Sequence, residues 1–214
     1  LSWQNNESWG SYKITTLSDY NGTANLRNAL IYSDNIYFAK TALKIGSNTF
    51  AEQLLKIGFN KTIEFEQNMV KSQFATDNKF SSEIQLADTG YGQGEVLINP
   101  LHMASIYSAF VNEGNMIKPY LEFKENATPT ILVENAFTKE ATNEIKNDLI
   151  QVVENPEGTA KDMKINGMTI AGKTGTAELK SSKDEKADTI GWFDCFTVDK
   201  ENPYLFVGMV EKAN

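Results

Sequence analysis

Apolar positions recur three and four apart through the first part of the chain and alternate near its end, so the sequence divides into helices followed by strands. Residues 23–32 predict a helix with Leu26, Ala29 and Leu30 on one face and Thr23 as its N-cap. After Ser33-Asp34-Asn35, a second helix carries Ile36, Ala39, Ala42 and Leu43 and stops at Gly46. Ser47 is the expected cap of a third, with Phe50, Leu54 and Leu55 inside and Gly58 at its end. Residues 59–98 are polar and weakly periodic, and no element is read there. They run into Gly90-Tyr91-Gly92-Gln93-Gly94, whose alternate glycines favour tight turns beside a site. Asn99-Pro100 opens the clearest helix, with Met103, Ile106, Tyr107 and Phe110 on one stripe and Gly114 at the end. Thr138 and Glu140 begin another, carrying Ile145, Leu149, Val152 and Val153. Residues 168–178, 188–198 and 204–211 then predict three strands, the last two joined by a polar turn at 199–203. Helices first and closely connected strands last predict an α+β fold, an antiparallel sheet packed with helices.

Composition narrows the chemistry. At 214 residues, with 41% apolar and 11% aromatic content, the chain is globular and long enough to bury a core. A net charge of −8 argues against a nucleic-acid surface, and with Arg27 as the only arginine a bidentate phosphate clamp is not expected. His102, the only histidine, lies in a helix start and reads as a partly buried helix residue, although any Ser-His-Asp mechanism would have to use it. Cys195, the only cysteine, reads as an inert strand residue and rules out an internal disulfide or a cysteine-based zinc site. No metal-ligand cluster or phosphate-binding glycine loop is present, so no cofactor and no metal are expected. No run reaches the length of a membrane span, and no signal peptide is recognised.

Two short segments carry candidate chemistry. Lys173-Thr174-Gly175-Thr176 lies inside the first predicted strand, where Lys173 and Gly175 share one face and Thr174 and Thr176 the other. Two hydroxyls on one face can both donate to a carboxylate, and a lysine nearby adds positive potential. Gly175 removes a side chain where a ligand backbone would lie. The arrangement suits an extended peptide with a free carboxylate, bound by addition to a strand edge. Ser33-Asp34-Asn35 sits between two helices, where Ser33 on its own reads as an N-cap. Ser33 and Asn35 can also face one cleft, with a hydroxyl that relays protons and an amide that holds a peptide group.

Taken together, these segments resemble the S-D-N and K-T-G motifs of the penicillin-recognising serine acyl transferases. The chain as a whole resembles the transpeptidase domain of class B penicillin-binding proteins, nearest the low-affinity, methicillin-resistance type of Gram-positive bacteria. The likeness runs through Ser33–Ala39, Gly90–Glu95 leading into Asn99-Pro100, Asn112–Asn115, Gly158-Thr159-Ala160, Gly172–Glu178 and Gly191-Trp192-Phe193. It implies a β-lactamase/transpeptidase-like fold. It also implies an enzyme that acylates a serine with the D-Ala-D-Ala end of a peptidoglycan stem peptide and passes the acyl group to an amine on a neighbouring strand. In that reading Ser33 and Lys173 are catalytic, while Asn35, Thr174, Gly175 and Thr176 bind substrate. The Thr176 N–H would form half of an oxyanion hole. β-Lactam antibiotics would be the other ligands. The expected place is the outer face of the cell membrane, through a segment of the parent protein absent here.

The family's Ser-x-x-Lys motif is missing: no lysine has a serine three residues before it. The expectation is a partial transpeptidase domain over residues 1–214, with the nucleophile upstream of Leu1, the C-terminal end of the domain also missing, and no activity in isolation. Two alternatives stay open. Glu64, in Glu64-Phe65-Glu66-Gln67-Asn68, superficially matches the acidic loop of class A β-lactamases and would make the protein a hydrolase. A non-catalytic β-lactam sensor or binding module would make the absence of the nucleophile real.

Overall fold

The computed structural model describes residues 2–5, 7–16, 19–123, 125–179, 188–199 and 201–213. Cap chemistry sets where its helices begin. Helix α1 (Leu26–Ile31) starts after Asn25, whose side chain accepts from the Asn28 N–H, and not after Thr23. Thr23 instead gives its carbonyl to the Asn28 side chain. Helix α2 (Asn35–Ile45) is capped by Asp34, which accepts from the Tyr37 N–H at 3.1 Å. Helix α3 (Ser47–Lys56) takes Ser47 as its first residue, with Gly46 before it and no side-chain cap. Helix α4 (Glu83–Gly90) occupies the stretch where no element was expected. It is short and buries Gln85 and Thr89 along with Leu86 and Ala87, so its inner face has no apolar stripe to read. Helix α5 (Pro100–Ser108) opens at Asn99-Pro100 as expected but ends before Phe110. Ser108 Oγ turns to the Ile117 N–H, and turns lead on to Gly114. Helix α6 (Lys139–Glu154) is capped by Thr138.

Two small antiparallel pairs were not expected: β1 (Ser2–Trp3) with β2 (Ile14–Thr15), and β3 (Met116–Lys118) with β4 (Thr130–Val133). Strands β5 (Ile170–Leu179), β6 (Asp188–Thr197) and β7 (Leu205–Glu211) form the main antiparallel sheet, in the order β5-β6-β7. Lys200, in the expected polar turn, lies outside the described residues. All ten residues of β5 pair with β6, placing Lys173 opposite Asp194 and Gly175 opposite Trp192. A Cβ on Gly172 would come within 2.8 Å of the Cys195 Cβ, so glycine there lets the strands approach.

The principal core lies between this sheet and two helices. Leu30 of α1 and Leu149, Val152 and Val153 of α6 pack on Ile170, Ala171 and Phe196 of the sheet. Each large side chain buried this way stabilises the fold by about 1.5–3 kcal/mol. A second cluster, Trp9, Ile14, Ala39 and Ala87, ties the first small pair to α2 and α4. The cleft opens between the helical part and the β5 edge.

Candidate active site

The site begins with a strained turn. Because Asp34 takes the cap of α2, Ser33 is left outside the helix at φ 53°, a left-handed conformation unusual for a serine. Its neighbours hold it there. Thr16 Oγ1 donates to the Ser33 carbonyl at 3.3 Å, and the Tyr20 hydroxyl donates to Asp34 Oδ2 at 2.8 Å. Asn35 Nδ2 donates to the Thr15 carbonyl at 2.9 Å, which leaves the carbonyl end of its amide for a ligand. Tyr20 also stacks on Tyr32, with centroids 4.5 Å apart and planes within 3°.

Across the cleft, Lys173 reaches from β5 and donates to Ser33 Oγ. It also donates to the Thr174 carbonyl at 3.0 Å. The cleft measures about 410 Å³, and Ser33, Asn35, Lys173, Thr174, Gly175 and Thr176 all line it. Among the described residues β5 pairs only with β6, and the Lys173/Gly175 and Thr174/Thr176 pairs all line the opening along its free edge. Tyr32, Phe38, Tyr91, Gln93 and Thr159 complete the walls.

Electrostatically the cleft differs from the acidic chain around it. Lys173 is the one charged side chain among its described lining residues. Burial disfavours the ammonium and brings its pKa down to about 8, so near neutral pH it is charged and poorly solvated. Asp194, opposite it in register, is 4% exposed, and its Oδ1 has no hydrogen-bond partner among the described residues. Burial raises that carboxyl to about 7, so Asp194 is a weak counter-ion at best. A desolvated cation bonded to the Ser33 hydroxyl, in a cleft also lined by Thr174 and Thr176 and with glycine opening the strand edge, is suited to an anionic peptide terminus.

The remaining sequence candidates lie elsewhere. His102 is fully buried, with Nε2 2.8 Å from the Ile57 carbonyl, and does not line the cleft. Glu64 does not line it either, and neighbouring Glu66 accepts from the Leu121 and Glu122 N–H groups. Sequence reasoning gave no individual role to Tyr91 or Gln93, although the Gly-x-Gly-x-Gly spacing around them was a usable signal. Phe38 lay within a stretch that carries the resemblance but was given no role, and Tyr32 carried no signal. No group of three or more His, Cys, Asp or Glu among the described residues is placed to hold a metal ion.

Comparison with known proteins places the chain in a family. The sequence family described as "Penicillin binding protein transpeptidase domain" matches residues 1–214. Penicillin-binding protein 3 of Bacillus subtilis is 45% identical over 209 residues, covering 97% of this chain and 31% of that protein. The probable peptidoglycan D,D-transpeptidase PbpC of Pseudomonas aeruginosa is 30% identical over 185 residues, 86% of this chain and 30% of that protein. The chain thus spans about a third of the length of these curated relatives. Among solved structures, the transpeptidase domain of Burkholderia pseudomallei penicillin-binding protein 3 superposes with a TM-score of 0.80 at 21% identity, over 94% of this chain and 60% of that one. Penicillin-binding protein A of Mycobacterium tuberculosis, solved as an imipenem acyl-enzyme, gives 0.78 at 18% identity, over 96% of this chain and 48% of that one. These two likenesses establish a shared fold. With the sequence match running the full length, the chain belongs to the transpeptidase domain family of penicillin-binding proteins.

Proposed function

We propose that this chain forms the carboxylate-binding and proton-handling side of a peptidoglycan D,D-transpeptidase, as part of a longer protein that β-lactams acylate. The observation that carries the reading is the hydrogen bond from Lys173 to Ser33. It joins two motifs 140 residues apart across one cleft. Neither residue has a structural need for the other, since Asp34 already caps α2 and β5 is held by β6.

In the proposed reaction a serine Oγ attacks the carbonyl of the penultimate D-Ala, and its proton is relayed through Ser33 to the departing amine as the C–N bond to the terminal D-Ala breaks. An acceptor amine then attacks the acyl-serine, forms a new peptide bond and breaks the ester, and the proton it loses returns to the serine oxygen. Lys173, Thr174 and Thr176 hold the terminal carboxylate, Gly175 leaves room for the ligand backbone, and Asn35 holds a substrate amide. The Thr176 N–H forms half of the oxyanion hole. The acylated serine comes from outside these 214 residues, because no Ser-x-x-Lys occurs in them. Attachment to the outer face of the membrane is carried by the same reading.

The test is intact mass of the full-length protein over time with benzylpenicillin. A persistent single-drug adduct, formed much more slowly in Lys173→Ala, supports the transpeptidase. An adduct that disappears as drug is consumed shifts the assignment to a hydrolase. The absence of any adduct at high concentration would leave a non-acylating binding module and remove the catalytic roles of Ser33 and Lys173.

A further inference from the structure

Strand β5 pairs with β6 alone among the described residues, so its other edge is open to the cleft. Carbonyls two residues apart on a strand point the same way, and an open edge offers them to any extended chain. Thr174 and Thr176 are such a pair, and side chains of the protein take both. Lys173 Nζ donates to the Thr174 carbonyl at 3.0 Å, and Gln93 Nε2 donates to the Thr176 carbonyl at 3.3 Å. The first contact is local to the strand. The second spans the cleft, from the turn after α4 to the sheet.

We propose that Gln93 is a displaceable bar across the β5 edge, a specificity-determining residue that yields the Thr176 carbonyl to a backbone N–H of an extended peptide ligand. The inference rests on the peptide-binding reading proposed above, with the ligand backbone lying along β5 at Gly175. It adds a competition: a ligand amide N–H must displace the Gln93 side chain to reach the Thr176 carbonyl.

The turn is built so that only the side chain need move. The Gln93 N–H donates to the Asp88 carbonyl at 2.9 Å, and the Gly92 N–H donates to the Thr89 carbonyl at 3.1 Å. Tyr91 donates its hydroxyl to Asp88 Oδ1 at 2.6 Å, and Tyr12 donates to the same oxygen from the other side. Gly92 at φ 86° and Gly94 at φ 75° flank Gln93, and a Cβ on Gly92 would meet nothing within 4 Å. The backbone is therefore tethered while the space beside it is open. Rotation about the Gln93 side-chain bonds suffices to lift the bar, a motion faster than loop rearrangement. The bond it breaks is near the long end for N–H···O, so a well-aligned backbone N–H replaces it without loss. Residue type matters as well. A carboxylate in this place could only accept, and would repel both the Thr176 carbonyl and a ligand carboxylate.

The test is an NMR titration of the protein with Nα,Nε-diacetyl-Lys-D-Ala-D-Ala, using wild type, Gln93→Ala, Gln93→Asn and Lys173→Ala. Removing the competing donor is expected to tighten binding about three- to tenfold in Gln93→Ala. Gln93→Asn, too short to reach, should match it. In wild type the Gln93 side-chain NH2 resonances should move on binding. Unchanged α4 and β5 backbone resonances show that each variant is folded. Equal or weaker binding in both Gln93 variants, with Lys173→Ala still disrupting it, overturns the bar and leaves the peptide-binding reading intact. No binding in any form, or binding indifferent to Lys173→Ala, overturns the peptide-binding reading and the bar with it.

Discussion

Burial takes the Lys173 ammonium out of water and lowers its pKa to about 8, while Ser33 Oγ accepts a hydrogen bond from it. A carboxylate arriving in the cleft restores a charged partner and pulls that pKa upward. Ligand affinity and lysine protonation are therefore linked. Affinity for a D-Ala-D-Ala peptide should be flat below pH 8 and fall above it, by up to about tenfold per unit. Dissociation constants measured from pH 7 to 9.5 check this, and a flat profile would remove Lys173 from carboxylate binding. At this scale the sequence was informative about identity but not about division of labour. The cap of α2 was expected at Ser33, yet Asp34 takes it. Either residue type caps well, so only the backbone turn decides, and it leaves the serine hydroxyl free for the cleft.

Helices α2 and α4 meet through Gly90. A Cβ there would lie 2.7 Å from both the Ala42 Cβ and the Phe38 carbonyl oxygen, and neither neighbour is a flexible side-chain end. Gly90→Ala should therefore separate the two helices and cost about 1–3 kcal/mol, read as a lower denaturation midpoint. Peptide affinity should fall with it, because the turn carrying Gln93 leaves α4 at that residue. A variant as stable as wild type would show that the contact relaxes freely. Most elements were legible because caps and apolar spacing agree, as with Thr138 and the stripe of α6. Helix α4 was not legible, since Gln85 and Thr89 are inside it and polar residues give no periodic signal. The two small strand pairs were hidden for another reason. Two or three residues of pairing across a loop leave no pattern in a single chain.

Over the whole molecule, the α+β arrangement and the strand cluster followed from the change of hydrophobic period, and the resemblance followed from motifs in order. The walls of the cleft were legible only in part: Phe38 and Thr159 fall in stretches that carry the resemblance, whereas Tyr32 meets them only through long-range packing. His102 shows how packing sets the global response to acid. It is fully buried against Phe59, Nε2 engages the Ile57 carbonyl, and Nδ1 has no hydrogen-bond partner among the described residues. Burial lowers its pKa from 6.5, so the unfolded chain takes up the proton first as pH falls. The stabilising effect of a neutral His102 is thus present above about pH 6.5 and lost below it. Urea midpoints should decline more steeply between pH 7 and 5 in wild type than in His102→Gln, and parallel curves would contradict this.

One pairing in the sheet has a practical consequence. Gly175, which leaves the β5 edge open, sits directly opposite Trp192 on β6. Of the three tryptophans, Trp3 and Trp9 pack edge-to-face at 5.5 Å in the small cluster beside α2, away from the sheet. The protein thus carries its own fluorophore one strand behind the place where a ligand would lie. Occupation of that edge can be followed by emission from unlabelled protein, and replacing Trp3 and Trp9 would assign the signal to Trp192.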